Sequence, residues 1–171
     1  MKVELAAYNP QWPGLFEQEK QLILPGFPLQ DVMIEHIGST SVPGLKAKSV
    51  IDMMIGIPAL PGDITAIEAH LKRSGYEYIE KYNALMPDRR FFIKEQDGKR
   101  THHIHMTAMD SEFWKRHLFF RDQLRNKPEL NEQYEALKTA LAQNDWESTN
   151  AYADAKSEFI QSVDRERAKL H

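Results

Sequence analysis

The sequence predicts an α+β fold, a small mixed β-sheet flanked by helices with a helical C-terminal third. Three observations carry that expectation. All eight glycines and eight of the nine prolines precede residue 99, leaving only Pro128 beyond it, so turn-rich structure comes first and helices follow. Several segments before residue 107 are β-branched and apolar or alternate with period two, as strands do. Elsewhere apolar side chains recur every three or four residues, as on helices that bury one face.

Taken in order, residues 3–7 suit a short strand, and 10–24 carry Trp12, Leu15, Phe16, Glu19, Leu22 and Ile23 at helical spacing until Pro25-Gly26 stops them. A strand over 32–37 runs into a Gly-Ser-rich turn, and 49–57 is apolar enough for a buried strand ended by Pro58, Pro61 and Gly62. Asp63 suits the start of a helix through about residue 74, with Gly75 as its stop. Residues 76–79, 90–94 and 100–106 read as strands, the last two joined at Asp97-Gly98, a hairpin pair. Helices over 111–126, 128–143 and 148–168 follow.

The 171 residues are 42% hydrophobic and 27% charged, with a formal charge of −3. A chain of that size closes a core without disulfides or metals, and no repeat or linker divides it, so one domain over 1–171 is expected. With zero cysteines, thiolate metal sites and cysteine nucleophiles are excluded. No apolar stretch reaches the roughly 20 residues that span a bilayer, and residues 1–9 lack a basic region followed by an apolar one, so a cytoplasmic protein with no membrane partner is expected. The slightly acidic balance argues against bulk nucleic acid as the main partner.

The most informative segment is Glu35-His36-Ile37-Gly38-Ser39-Thr40-Ser41-Val42-Pro43-Gly44-Leu45-Lys46-Ala47-Lys48, followed by the strand bearing Asp52. Gly38 permits close backbone approach, and the Ser39 and Ser41 hydroxyls with nearby Lys48 suit phosphate oxygens. A tight turn capped by Ser39 or Thr40 is the plainer account of the same residues. Asp52 stands alone in Val50-Ile51-Asp52-Met53-Met54-Ile55, where an ionised carboxylate is costly unless it is paired or holds a cation such as Mg²⁺. A structural acid bonded to the preceding turn is the alternative.

These residues resemble the nucleotidyltransferase (polymerase-beta-like) superfamily, and more fully the GrpB family. The second resemblance rests on residues 36–45, Lys48 and Ile51-Asp52, with further blocks at Asn9-Pro10-Gln11-Trp12, His103-Ile104-His105-Met106, Phe120-Arg121-Asp122-Gln123-Leu124-Arg125, Tyr134-Glu135-Ala136-Leu137-Lys138 and Tyr152-Ala153-Asp154-Ala155-Lys156. It implies a nucleotidyltransferase fold in which Gly38 and Ser39 hold nucleotide phosphates and strand acids hold divalent metal. The superfamily pairs its metal acids two residues apart, whereas here that position is Met54, a poor ligand for Mg²⁺. No activity is carried over for GrpB-like proteins.

On the strand where the superfamily pattern would place another acid, His103 and His105 share one face. With Asp52 they would make a three-ligand site for Mn²⁺ or a transition metal, to which His36 would add a fourth ligand, or serve as a base, with Asp52 and His105 the catalytic pair. Glu35 is a further carboxylate whose part is open. A half-buried His105 and a solvated His102-His103 pair are the blander account. Arg121 and Arg125, one helical turn apart with Lys115 and Arg116 near, suit a phosphate clamp or salt bridges. Arg89-Arg90 suit a cleft wall, Phe113, Trp114, Leu118 and Leu124 suit a packing stripe, and Lys138 and Lys156 have no role from the sequence. The expectation is a protein binding a nucleotide or other phosphorylated small molecule, with metal-dependent nucleotidyl transfer as the activity. An inactive phosphate-binding relative and a hydrolase built on Asp52, His103 and His105 are the alternatives.

Overall fold

The computed structural model describes residues 2–170; Met1 and His171, the ends of the expected domain, lie outside the described residues. Helix α1 (Trp12–Ile23) opens with Pro13 in its first turn, where a missing N–H costs nothing, and buries Trp12, Phe16, Glu19 and Ile23 on one stripe. Strands β1 (Met33–Ile37) and β2 (Ile51–Ile57) follow, separated by a 3-10 turn at Ser39–Ser41. Helix α2 (Thr65–Arg73) is anchored where Asp63 Oδ1 accepts from the Thr65 amide at 2.9 Å. Strands β3 (Glu77–Tyr78), β4 (Arg89–Gln96) and β5 (Lys99–Ala108) complete the sheet. The β4–β5 turn puts both Asp97 and Gly98 at positive φ, the geometry that an Asp-Gly pair favours in a two-residue hairpin.

Helix α3 (Glu112–Asn126) is capped by Ser111, whose hydroxyl accepts from the Trp114 amide, and α4 (Pro128–Ala142) starts on its proline. The expected helix over 148–168 is two, α5 (Thr149–Ala155) and α6 (Ser157–Lys169), which meet at a turn on Lys156. Packing accounts for the break: α5 buries Tyr152, while α6 sets Phe159 against Tyr134 at 5.2 Å between ring centroids. The expected strand over 3–7 is a single bridge, Ala6 to Ala47, because its partner is the loop after the Gly-Ser turn and not a sheet edge.

The sheet order is β1-β2-β5-β4-β3, antiparallel throughout except for the parallel β2–β5 pair. Alternation sorts each strand between two faces. Met53 and Ile55 of β2, Ile104 and Met106 of β5 and Phe92 of β4 fill the main core, which α1 and α2 cover. Asp52 and Met54 take the opposite face, paired in register with His103 and His105. There Met54 packs with Ile37, Phe113 and Trp114 of α3. A third cluster, Val42, Leu45, Leu124 and Tyr134, ties the loop after the Gly-Ser turn to α3 and α4. The turn and the middle of β2 are thus gripped from both sides.

Candidate functional site

Gly38 adopts φ 73°, ψ −176°, a backbone region open essentially to glycine alone, and a β-carbon placed there would lie 2.8 Å from Asp52 Oδ2. The turn and the strand acid therefore touch, as the sequence pattern leads one to expect. Ser39 and Ser41 diverge. Ser41 is buried, and both its hydroxyl and its amide bond the Gly38 carbonyl, so it holds the turn in shape. Ser39 faces a cavity, where its Oγ accepts from Lys138 Nζ at 2.7 Å.

Asp52 Oδ1 lies 3.2 Å from His103 Nδ1 and 3.4 Å from His105 Nε2. Burial alone would raise the Asp52 carboxyl, but the two imidazoles outweigh it and hold the group well below the ordinary carboxylate range, so it is an anion at neutral pH and a poor proton acceptor. His105 is pushed down by its burial against the pull of Asp52, and so is neutral. Behind it, the Arg89 guanidinium lies over the Phe91 ring at 4.7 Å and contacts His105 Nδ1 at 3.0 Å. The one carboxylate and two ring nitrogens fall within 4.8 Å of one another, close enough to share a cation.

A second set of residues brings positive charge to this corner. Lys48, from the loop before β2, Lys138 of α4 and Lys156 at the α5–α6 turn converge with Ser39, Asp52 and His103 on a cavity of about 180 Å³. Lys138 is buried, its ammonium donating to Ser39 Oγ and to the Lys46 carbonyl at 2.6 Å. Burial and then the neighbouring Lys156 lower it to about 7; burial and then Lys48 lower Lys156 to about 8. The ammonium of Lys156 sits over the Tyr152 ring at 4.5 Å. Among the described residues none of the three lysines makes an ion pair. A larger cavity of about 380 Å³ adjoins on the other side of Gly38 and Asp52, walled by His105, Arg116, His117 and Phe120 among others.

Other expected residues lie elsewhere. Arg121 is spent on structure, donating to Glu35 Oε2 at 2.6 Å and to the His36 carbonyl, and Arg125 donates to the Ser41 carbonyl at 2.9 Å, so neither reaches the lysine cavity. Their pairing explains why Glu35 replaces no lost metal acid. His36 points to the opposite sheet face, stacked on Phe16 at 4.8 Å with Nε2 bonded to Thr40 Oγ1, and so cannot join Asp52 as a fourth ligand. His102 likewise faces away, 3.7 Å from Glu19. Sequence reasoning missed that Lys138 and Lys156 line this cavity. The available signal for Lys138 was its place one helical turn after Tyr134, on the stripe of α4 that is buried.

A family model described as GrpB protein matches residues 2–166. The UPF0157 protein YqkA of Bacillus subtilis is 37% identical over 168 residues, 98% of this chain and 48% of that protein, so the chain spans about half the length of that relative. The glutamate-rich protein GrpB of Alkalihalophilus pseudofirmus is 28% identical over 165 residues, 95% of this chain and 94% of that one. A crystal structure of the conserved protein GrpB from Enterococcus faecalis matches with a TM-score of 0.82 at 34% identity, covering 98% of both chains. No helix of the described residues is long and apolar enough to cross a membrane. With matches of this extent in both sequence and fold, the chain belongs to the GrpB family, which has a nucleotidyltransferase-like fold.

Proposed function

We propose that this protein binds a phosphorylated small molecule, nucleotides included, with a phosphate in the Lys48, Lys138 and Lys156 pocket beside Gly38. The observation that carries this reading is the convergence of three lysines, from three separate parts of the chain, on one cavity with a single carboxylate. Crowding one buried and two half-buried lysines around a single carboxylate is costly, and an arriving anion relieves that cost. Ser39, whose Oγ accepts from Lys138, lines the same pocket. Asp52 lines the pocket as a fixed negative charge, which turns the phosphate towards the lysines.

Binding is better supported than nucleotidyl transfer. Met54 stands fully buried where a second metal acid would be needed, Glu35 is engaged by Arg121, and Asp52 is a weak base. Thermal-shift titration with inorganic phosphate, pyrophosphate and nucleoside mono- and triphosphates tests the reading. The expected result is a saturable rise in melting temperature that Lys156→Met weakens by about tenfold in affinity, the loss of one charge-assisted hydrogen bond. No shift with any of these anions refutes it.

A further inference from the structure

The partners of the two histidines at Asp52 say which nitrogens carry protons. Arginine has five N–H donors and no acceptor, so the His105 Nδ1 facing Arg89 is the unprotonated nitrogen. Neutral His105 therefore keeps its proton on Nε2, pointing at Asp52. A histidine that binds metal through Nε2 shows the reverse arrangement, an Nδ1–H donating to a carboxylate or carbonyl behind it. His103 offers no better backing: its Nδ1 faces Asp52, and its buried Nε2 has no hydrogen-bond partner among the described residues. A divalent cation at this point would further meet the Arg89 guanidinium and the lysine pocket that shares Asp52 and His103. Like charges this close, half out of water, repel strongly.

We propose that the site takes an uncomplexed phosphate group without a divalent cation, Lys48, Lys138 and Lys156 supplying the positive charge while Arg89 fixes His105 as a hydrogen-bond donor to Asp52. The inference rests on the phosphate reading above and narrows its ligand to a phosphate not chelated by metal, such as a monoester. In it Asp52 acts as an orienting charge, and Arg89 is a positioning residue that acts through His105.

Isothermal titration calorimetry of the full chain with inorganic phosphate, in EDTA and then in Mg²⁺ or Mn²⁺, tests it. The expected affinities agree within about twofold, and Asp52→Asn, which removes the one negative charge among the described residues lining the pocket, binds phosphate more tightly than wild type. Saturable binding that appears only with the cation, or that Asp52→Asn abolishes, overturns the proposal. Absence of phosphate binding in every buffer overturns instead the reading on which it rests. A second readout follows the imidazoles directly. In ¹⁵N-histidine spectra, His105 should carry its proton on Nε2 and stay unmoved by added Zn²⁺. Arg89→Lys, also donor-only, should preserve that tautomer, while Arg89→Gln, which can accept, should release it. A proton on His105 Nδ1 in the wild type, or Zn²⁺ ligation there, overturns the assignment.

Discussion

Replacing Gly38 with alanine puts the contact between the turn and the strand acid to the test. Two effects add. The backbone at φ 73°, ψ −176° is glycine's own, and an alanine there costs about 1–3 kcal/mol in conformational strain. Its β-carbon would also lie 2.8 Å from Asp52 Oδ2 and 3.1 Å from Asp52 Cβ, so the acid must shift against His103 and His105, an overpacking cost of about 1–3 kcal/mol. Gly44 is the internal control, since it too has positive φ but no heavy atom within 4 Å of where its β-carbon would be. Gly44→Ala should therefore show the strain alone, about 1–2 kcal/mol. Urea denaturation followed by tryptophan fluorescence should place Gly38→Ala below Gly44→Ala by about 1–3 kcal/mol, with Asp52 pushed off its histidines. Equal midpoints for the two variants would falsify the argument that Gly38 exists to let the turn meet Asp52.

Two further tests follow from the same geometry. Because Arg121 holds Glu35 and the His36 carbonyl, Arg121→Ala should cost about 1–3 kcal/mol of stability while phosphate affinity stays put; a loss of affinity without a loss of stability in calorimetry and urea melts would restore it as a ligand contact. His36 and His117 are both lowered from 6.5 to about 4, by burial first, helped by Arg125 and by His105 respectively. Protons therefore bind the unfolded chain more readily between those values, so the stability these residues contribute is complete above pH 6.5 and drains away as pH falls towards 4. Urea midpoints at about pH 7 and about pH 4.5 should differ accordingly, with a smaller drop in His117→Leu, and a flat profile would count against the burial argument.

Much of the fold was readable from local patterns. The Asp97-Gly98 hairpin, the apolar run around Asp52 and the proline start of α4 all appear where spacing and turn chemistry put them. Reading failed where a local pattern has two tertiary outcomes. Residues 148–168 hold one helical period, yet the chain turns at Lys156 because Tyr152 and Phe159 bury against different neighbours. Residues 3–7 have strand-like alternation but find a loop rather than a sheet edge.

At the site the division is similar. Alternation in β2 and β5 suffices to place Asp52, His103 and His105 on a shared face once the strands are neighbours, and the glycine of the turn announces close approach. Nothing local says whether a charged side chain will meet a ligand or a partner of opposite sign. Arg121 and Arg125 looked like an anion clamp and proved to be braces, whereas Lys138 and Lys156 looked idle and line the pocket. That outcome depends on which side chains, nearly a hundred residues apart in the case of Ser39 and Lys138, are packed into one low-dielectric cavity. The sequence alone pointed to the family by its motifs, and to a small mixed sheet with one strand acid by short-range periodicity; the lysines that join Lys48 beside that acid were set only when α4 and the α5–α6 turn closed over it.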